Sequence, residues 1–203
     1  NLIRVYKPYD SDILIRNNSG ESIGIYEGVV VRNMPNAFTE IIENGKIGKP
    51  LGYIFPINAY SINLKNFTDL TAKAALHIYR GNKSFTYTRY EAEQNETDLL
   101  YFNNGISIKN PDSQLKYFKL QTIISDTTCE RVFILRSLGL EQNDSVKIET
   151  PDENTLDLIS FGSSKNYQVE LNYASEISFG RFLNSNITLH QNTTHKLIPN
   201  WAD

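Results

Sequence analysis

The segment AKAALHIYRGNKSFTYTRYEA, residues 72–92, holds two short runs of alternating apolar and polar side chains around the turn-forming pair Gly81-Asn82. This alternation is typical of β-strands, because successive side chains point to opposite faces of a sheet. Comparable runs recur along the 203-residue chain, among them LIRVY, DILIR, SIGIY, YSINLKNF, LKYFKLQ, ERVFILRS, SVKIE, YQVELNY and HKLIP. Short runs divided by Asn- and Gly-rich turns predict an all-β protein of antiparallel sandwiches.

The polar and acidic stretch YEAEQNETD, residues 90–98, is the predicted domain boundary. It divides the chain into two blocks, each long enough for a sandwich of its own. We therefore predict two tandem antiparallel β-sandwich domains, Ig-like or jelly-roll-like, over residues 1–95 and 96–203. A single larger sandwich is the alternative.

The charge balance excludes some partners. With 20 basic and 23 acidic residues the net charge is -3, so no basic field is available for nucleic acid. No apolar run approaches the length of a membrane span. The chain begins at Asn1 rather than Met and carries no signal peptide, so we expect a mature product or an excised piece.

The first half contains three motifs in a fixed order: DILIRNNSGESIG, then EGVVVRNMPNAF, then PLGYIFPINAYSINLKNFTDLTAKAALHIYR. The order resembles β modules near the C-terminal ends of secreted or surface bacterial and archaeal multi-domain proteins. In that pattern a D-P-x-G turn precedes an [NE]-[IM]-P-[GN]-A segment. Here Asn17-Asn18 replaces Asp-Pro and Asn36 replaces the usual Gly, and both changes suit turns because Asn tolerates positive φ.

The second half also resembles such proteins, through YQVELNYAS and FLNSNITLHQNTTHKLIPNW with its H-x-[IL]-x-P-x-W ending. The resemblance implies an extracellular, non-catalytic accessory module. Its partners would be neighbouring domains of the same polypeptide or another surface protein, and possible ligands include a glycan. We predict no cofactor.

His190 and His195 are the strongest candidates for a metal or catalytic site near the C-terminus. If residues 186–201 form a hairpin, the favoured register pairs Leu189 with His195 and leaves His190 on the opposite face. A register shifted by one would bring the two histidines together. Neither register supplies the roughly four ligands of a structural metal site, so we predict a turn, with Trp201 closing one end of the core or packing on a following domain.

Two acidic stretches are weak calcium candidates through Asp10 and Asp12, and through Asp152 and Asp157, although neither has EF-hand spacing. Cys129 is the only cysteine, so it can form no intramolecular disulfide, and we expect a buried thiol at a strand end. The sequence contains no G-x-S-x-G, H-E-x-x-H or P-loop motif, so we predict no enzyme. A secreted hydrolase with paired carboxylates is kept as a second alternative.

Seven Asn-x-Ser/Thr sequons begin at Asn17, Asn66, Asn82, Asn95, Asn143, Asn186 and Asn192. In a chain rich in Asn we take them first as markers of exposed turns.

Tyr87 and Arg89 form the best ring-plus-polar pair for a glycan. Alternation places them on one face with Phe85, where a ring could stack on a sugar and the guanidinium could bind its hydroxyls. The competing interpretation is that Phe85 and Tyr87 pack in the core while Arg89 reaches solvent. The alternative function is therefore a carbohydrate-binding module, and it requires Tyr87 to be exposed.

Overall fold

The structure is a computed structural model that describes residues 2–7, 11–26, 28–40, 52–57, 60–65, 74–92, 96–103 and 105–201. These ranges form eighteen β-strands and contain no helix. The strands are β1 (Leu2–Tyr6), β2 (Asp12–Asn17), β3 (Ser22–Tyr26), β4 (Val29–Arg32), β5 (Phe38–Glu40), β6 (Gly52–Pro56), β7 (Tyr60–Lys65), β8 (Ala74–Arg80), β9 (Lys83–Arg89), β10 (Thr97–Phe102), β11 (Ile106–Lys109), β12 (Lys116–Ser125), β13 (Cys129–Leu140), β14 (Ser145–Glu149), β15 (Leu156–Phe161), β16 (Lys165–Ser175), β17 (Phe179–Leu189) and β18 (Thr194–Leu197).

The strands form two open antiparallel sheets of nine strands each, so the prediction of an all-β fold is confirmed. Sheet A has the order β17-β16-β13-β12-β9-β8-β1-β6-β5, and sheet B has the order β18-β15-β14-β11-β10-β7-β2-β3-β4. The sheets pack face to face. The rings of Phe55 in sheet A and Tyr60 in sheet B, for example, meet edge to face with centroids 4.7 Å apart.

The core is built by alternation along each strand. In β12, Phe118, Leu120 and Ile124 point inwards and are buried, whereas Tyr117 points outwards and is exposed. Most of the buried apolar side chains of the described strands form one cluster, with members in both sheets and in both halves. The two sheets therefore enclose a continuous core.

The predicted boundary between residues 95 and 96 separates two blocks of strands. The N-terminal half, β1–β9, contributes five strands to sheet A and four to sheet B, and the C-terminal half, β10–β18, contributes four and five. Both sheets continue across the boundary, because β9 pairs with β12 and β7 pairs with β10. Whether the halves are separate domains stays a prediction.

The turns explain the Asn substitutions in the N-terminal motif. Asn36 has a φ of 55°, which confirms that Asn takes the left-handed conformation where Gly is usual. The Asn17 side-chain Oδ1 accepts hydrogen bonds of 3.0 Å from the backbone N–H groups of Ser19 and Glu21, and so closes the turn between β2 and β3.

Candidate functional site

Tyr87 and Arg89 lie at the seam between the two halves, on the inner face of β9. Tyr87 is 3% exposed and Arg89 is 2% exposed. The Tyr87 hydroxyl donates a 2.8 Å hydrogen bond to Oδ2 of Asp98, and Arg89 Nη2 lies 2.8 Å from Oε2 of Glu96. Neither side chain can reach a saccharide outside the protein, so the exposure that glycan binding requires is not met at this pair.

Lys116 completes the same buried cluster from β12. Its Nζ lies 3.1 Å from Oδ1 of Asp98 and 2.7 Å from Oδ2 of Asp112, and it donates a further 2.7 Å hydrogen bond to the carbonyl of Thr97. The three protons of the ammonium are thus matched by three acceptors. Arg89 also donates to the carbonyl of Tyr117, at 3.2 Å.

The electrostatics of the seam are those of a closed internal network. Burial, followed by the charge of Asp98, raises the pKa of Tyr87 well above its usual value. Burial by itself would raise the pKa of Asp112, but hydrogen bonds from Lys116 and from the Thr97 backbone outweigh it and lower that pKa. The network therefore keeps the Asp112 carboxylate charged and the Tyr87 hydroxyl neutral.

The described calcium candidates lie at the start of β2, between β14 and β15, and on β15. Asp10 lies outside the described residues. Asp12 is buried at the start of β2, Asp152 accepts a 2.7 Å hydrogen bond from the Asn154 backbone in a turn, and Asp157 on β15 lies opposite Lys196. No group of three or more His, Cys, Asp or Glu side chains able to hold a metal occurs within the described ranges.

The histidine hairpin is a wrong prediction, and so are both of its registers. β17 pairs with β16 in sheet A and β18 pairs with β15 in sheet B, so the chain crosses between sheets after Leu189. His190 is exposed in that connection. His195 Nδ1 lies 3.0 Å from the Tyr167 hydroxyl, and burial, with the nearby charge of His190, lowers the pKa of His195.

Cys129 begins β13 and is buried, as the sequence predicts. Its thiol donates a 3.3 Å hydrogen bond to Oδ2 of Asp126, and Arg131 donates a 2.7 Å bond to the same oxygen. Oδ1 of Asp126 accepts 2.7 Å bonds from the backbone and the hydroxyl of Thr128. These hydrogen bonds, that of the Thr128 hydroxyl first, lower the pKa of Asp126 far below its usual range. Asp126 is thereby occupied in shaping the turn between β12 and β13.

A groove that sequence reasoning missed opens between the last strands of the two sheets. It has a volume of about 830 Å³ and lies between β17 at the edge of sheet A and β18 at the edge of sheet B. Its lining is mostly apolar and aromatic: Val169, Leu171, Tyr173, Phe179, Phe182, Ile187, Leu197, Ile198, Pro199 and Trp201.

Trp201 forms the floor of this groove. Its ring stacks on Tyr173 with centroids 5.6 Å apart and meets Phe133 edge to face at 6.0 Å. Trp201 is thus packed against the end of the core, as predicted for that residue.

The groove exists because the two edge strands differ in length. β17 has eleven residues and β18 only four, so β18 covers only part of the inner face of β17. Phe182, opposite Leu171 in register, is 53% exposed, and Ile198 is 65% exposed. The sequence signal was the apolar cluster Ile177, Phe179, Phe182 and Leu183, whose spacing fits neither a helix nor a half-buried strand.

The described lining of the groove includes two charged side chains, Arg181 and Lys196. Arg181 Nε lies 3.1 Å from Oε1 of Glu170, and Arg136 Nη2 lies 2.8 Å from Oε2 of the same carboxylate, on the outer side of sheet A. Among the described residues, the lining includes no Asp or Glu. The described lining is therefore mostly apolar, and its charged groups are cationic.

No protein-family model, curated protein or solved structure matches this chain. In the described part of the chain, no helix has the length and apolarity needed to cross a membrane.

Proposed function

We propose that this chain is a non-catalytic accessory module of a larger secreted or surface protein. It binds an extended, apolar segment of a neighbouring domain or of another surface protein in the groove between β17 and β18. We also propose Ig-like or jelly-roll-like character for its two halves.

The exposed inner face of β17 carries this proposal. Large apolar side chains on a surface mark contact sites when they are contiguous, and Phe182, Ile198 and Trp201 line one groove. Among the described strands, β18 pairs with β15 alone, so its other edge is open to an added strand. A strand added there would extend sheet B and cover Phe182, a recurring mode of peptide recognition.

The lining also defines the chemistry of the partner. An added strand presents alternate side chains to the groove, so apolar residues at every second position would contact Leu171 and Phe182. Lys196 in the lining of the groove favours a carboxylate at one end of the bound segment.

The other functions have less support. A glycan cannot use Tyr87 and Arg89 because both are buried. A hydrolase would place two carboxylates across a cleft, whereas the described part of the groove lining includes neither Asp nor Glu.

The fluorescence of Trp201, the only tryptophan, gives a direct test. The probe is a synthetic peptide of about nine residues, near the usual length of a strand, with alternating Val and Thr and one terminal Glu. We expect a saturable change in Trp201 emission, and at least about a tenfold weaker binding for Phe182→Ser, which removes a central aromatic anchor.

Phe161→Ser is the matched control, because Phe161 is 46% exposed on β15 but is absent from the groove lining. Binding that is undetectable, or that Phe182→Ser and Phe161→Ser weaken equally, would remove the groove as the docking site.

A further inference from the structure

Three of the sequons lie together at one end of the C-terminal half. Asn192 Oδ1 accepts a 3.4 Å hydrogen bond from the backbone of Gly162, in the turn between β15 and β16. Asn143 precedes Asp144, whose Oδ1 accepts a 3.0 Å bond from Ser163 in that turn. Asn186 shares a depression with Ser163 and Ser164. All three therefore surround residues 162–164.

Their backbones have the same conformation. The φ angles of Asn143, Asn186 and Asn192 are 64°, 62° and 54°, and all three residues are exposed. Asn143 and Asn192 lie in turns, and Asn186 lies at the irregularity where the β16–β17 register shifts. Each side chain therefore stands on an exposed turn or bulge.

The side-chain amides of these residues are also available. Within the described ranges, the amides of Asn143 and Asn186 make no hydrogen bond, and Asn192 uses its oxygen but not its Nδ2. We propose that Asn143, Asn186 and Asn192 are sites of N-linked glycosylation.

Asn17 is the contrasting sequon. Its Nδ2 donates a 2.7 Å hydrogen bond to Oε2 of Glu21, and its Oδ1 accepts two backbone bonds, so the whole amide holds the β2–β3 turn. Asn82 is intermediate, since its Nδ2 lies 3.5 Å from Oε1 of Glu153. Asn66 and Asn95 lie outside the described residues.

The reaction needs a saccharide donor activated as a polyprenyl pyrophosphate ester. Nδ2 attacks the anomeric carbon, the bond from that carbon to the pyrophosphate oxygen breaks, and the lipid pyrophosphate leaves. The Nδ2–C1 bond forms, and one amide proton passes to a base of the transferase. The hydroxyl two residues on is Ser145, Thr188 or Thr194, which completes each sequon.

A glycan on Asn186 would leave the groove open. Asn186 shares its depression with Tyr117 and Gln168 on the outer face of sheet A, whereas the groove opens on the inner face between β17 and β18. In a cell the reaction rests on the proposed extracellular destination of the chain. The reaction with purified components does not.

The test uses the folded chain, a purified oligosaccharyltransferase that accepts Asn-x-Ser/Thr, and a lipid-linked saccharide. The rate at each asparagine is measured by mass spectrometry of glycopeptides and divided by its rate in a digest with a protease that cleaves only after lysine, which leaves all four sequons inside their peptides. For Asn143, Asn186 and Asn192 we expect a ratio near one. For Asn17 we expect a ratio about tenfold lower, because its charge-assisted hydrogen bond must open first.

Glu21→Ala is the matched variant, since it frees the reacting Nδ2 of Asn17 and should raise the rate at that site alone. Thr188→Ala should abolish modification of Asn186 and leave the other two sites unchanged. The proposal is overturned if Asn17 reacts in the folded chain as readily as the three grouped sites, or if those three react only in the digest. Such a result would leave peptide binding at Phe182 untouched, so the two proposals fail separately.

Discussion

The hydroxyl of Tyr87 in sheet A donates a 2.8 Å hydrogen bond across the core to Oδ2 of Asp98 in sheet B, and so joins the two sheets and the two halves at once. The carboxylate of Asp98 is also 3.1 Å from Lys116 Nζ. Tyr87, which the sequence suggested as part of a glycan site, therefore helps to hold the two sheets together.

Tyr87→Phe should lower the free energy of unfolding by about 1–2 kcal/mol, because it removes a buried hydrogen bond to a charged acceptor while keeping the ring. Urea unfolding followed by circular dichroism measures the change. Tyr117→Phe, at an exposed position on β12, should stay within about 0.5 kcal/mol. Equal effects for the two variants would argue against the role of Tyr87 in the seam.

Lys116→Met should cost about 3–5 kcal/mol, because it leaves Asp98 and Asp112 without the ammonium that compensates their charge. Lys147→Met is the matched control. Lys147 pairs with Glu149 in a partly exposed position, so its loss should cost less than about 1 kcal/mol. The same urea titrations decide the point, and a Lys116 variant as stable as the Lys147 variant would contradict it.

The strands and their faces could be predicted from the sequence because alternation is a local property. It correctly grouped Phe85, Tyr87 and Arg89 on one face of β9, but it could not show that Arg89 would be buried. That outcome depends on Glu96, which β10 brings from the other sheet. Partner choice between strands is a long-range property, and no pattern within the strand reports it.

The connection after Leu189 shows the same limit. A short polar segment between two apolar runs is typical of a hairpin, yet here it joins strands in different sheets. The two apolar runs do not pair with each other, because β17 pairs with β16 in sheet A and β18 pairs with β15 in sheet B. The groove at Phe182 depends on this crossover and on the unequal lengths of β17 and β18, so it could not be found from local periodicity.

Gly24→Ala should destabilise the fold by about 3 kcal/mol. Gly24 has a φ of 139°, and a Cβ there would overlap the backbone carbonyl of Ile13 on the paired strand. Gly20→Ala is the control: Gly20 also has a positive φ, of 82°, but a Cβ would meet no atom within 4 Å, so only about 1–2 kcal/mol is expected. Thermal unfolding of both variants separates the cost of the steric overlap at Gly24 from the cost of a positive φ alone at Gly20. A smaller loss of stability for Gly24→Ala than for Gly20→Ala would contradict the tight pairing of β2 and β3.

Stability should fall as the pH drops from about 7.5 to about 5.5, through the histidines. Burial lowers the pKa of His77 and of His195 below the usual 6.5, so the unfolded chain binds more protons in this range. The stabilising contribution is complete above pH 6.5 and is lost as the pH falls through the folded-state pKa values. The carboxylates with lowered pKa, such as Asp112, titrate in a more acidic range.

His195→Gln should reduce this pH dependence, and the double variant with His77→Gln should reduce it further. Unfolding free energies from urea titrations at the two pH values give the measurement. If both variants leave the pH dependence of the unfolding free energy unchanged, groups other than these histidines must cause it.

The intact chain should unfold in a single cooperative transition, although its strands divide into two blocks at residues 95 and 96. Separation would expose the edges of β9 and β7 and would leave Arg89 without Glu96 and Asp98. A buried guanidinium without its carboxylates is strongly unfavourable, so residues 1–95 alone should be much less stable than the same strands in the whole protein. Calorimetry of the intact chain and of the two separate fragments tests this expectation. Two independent transitions that match those of the fragments would instead establish two autonomous domains.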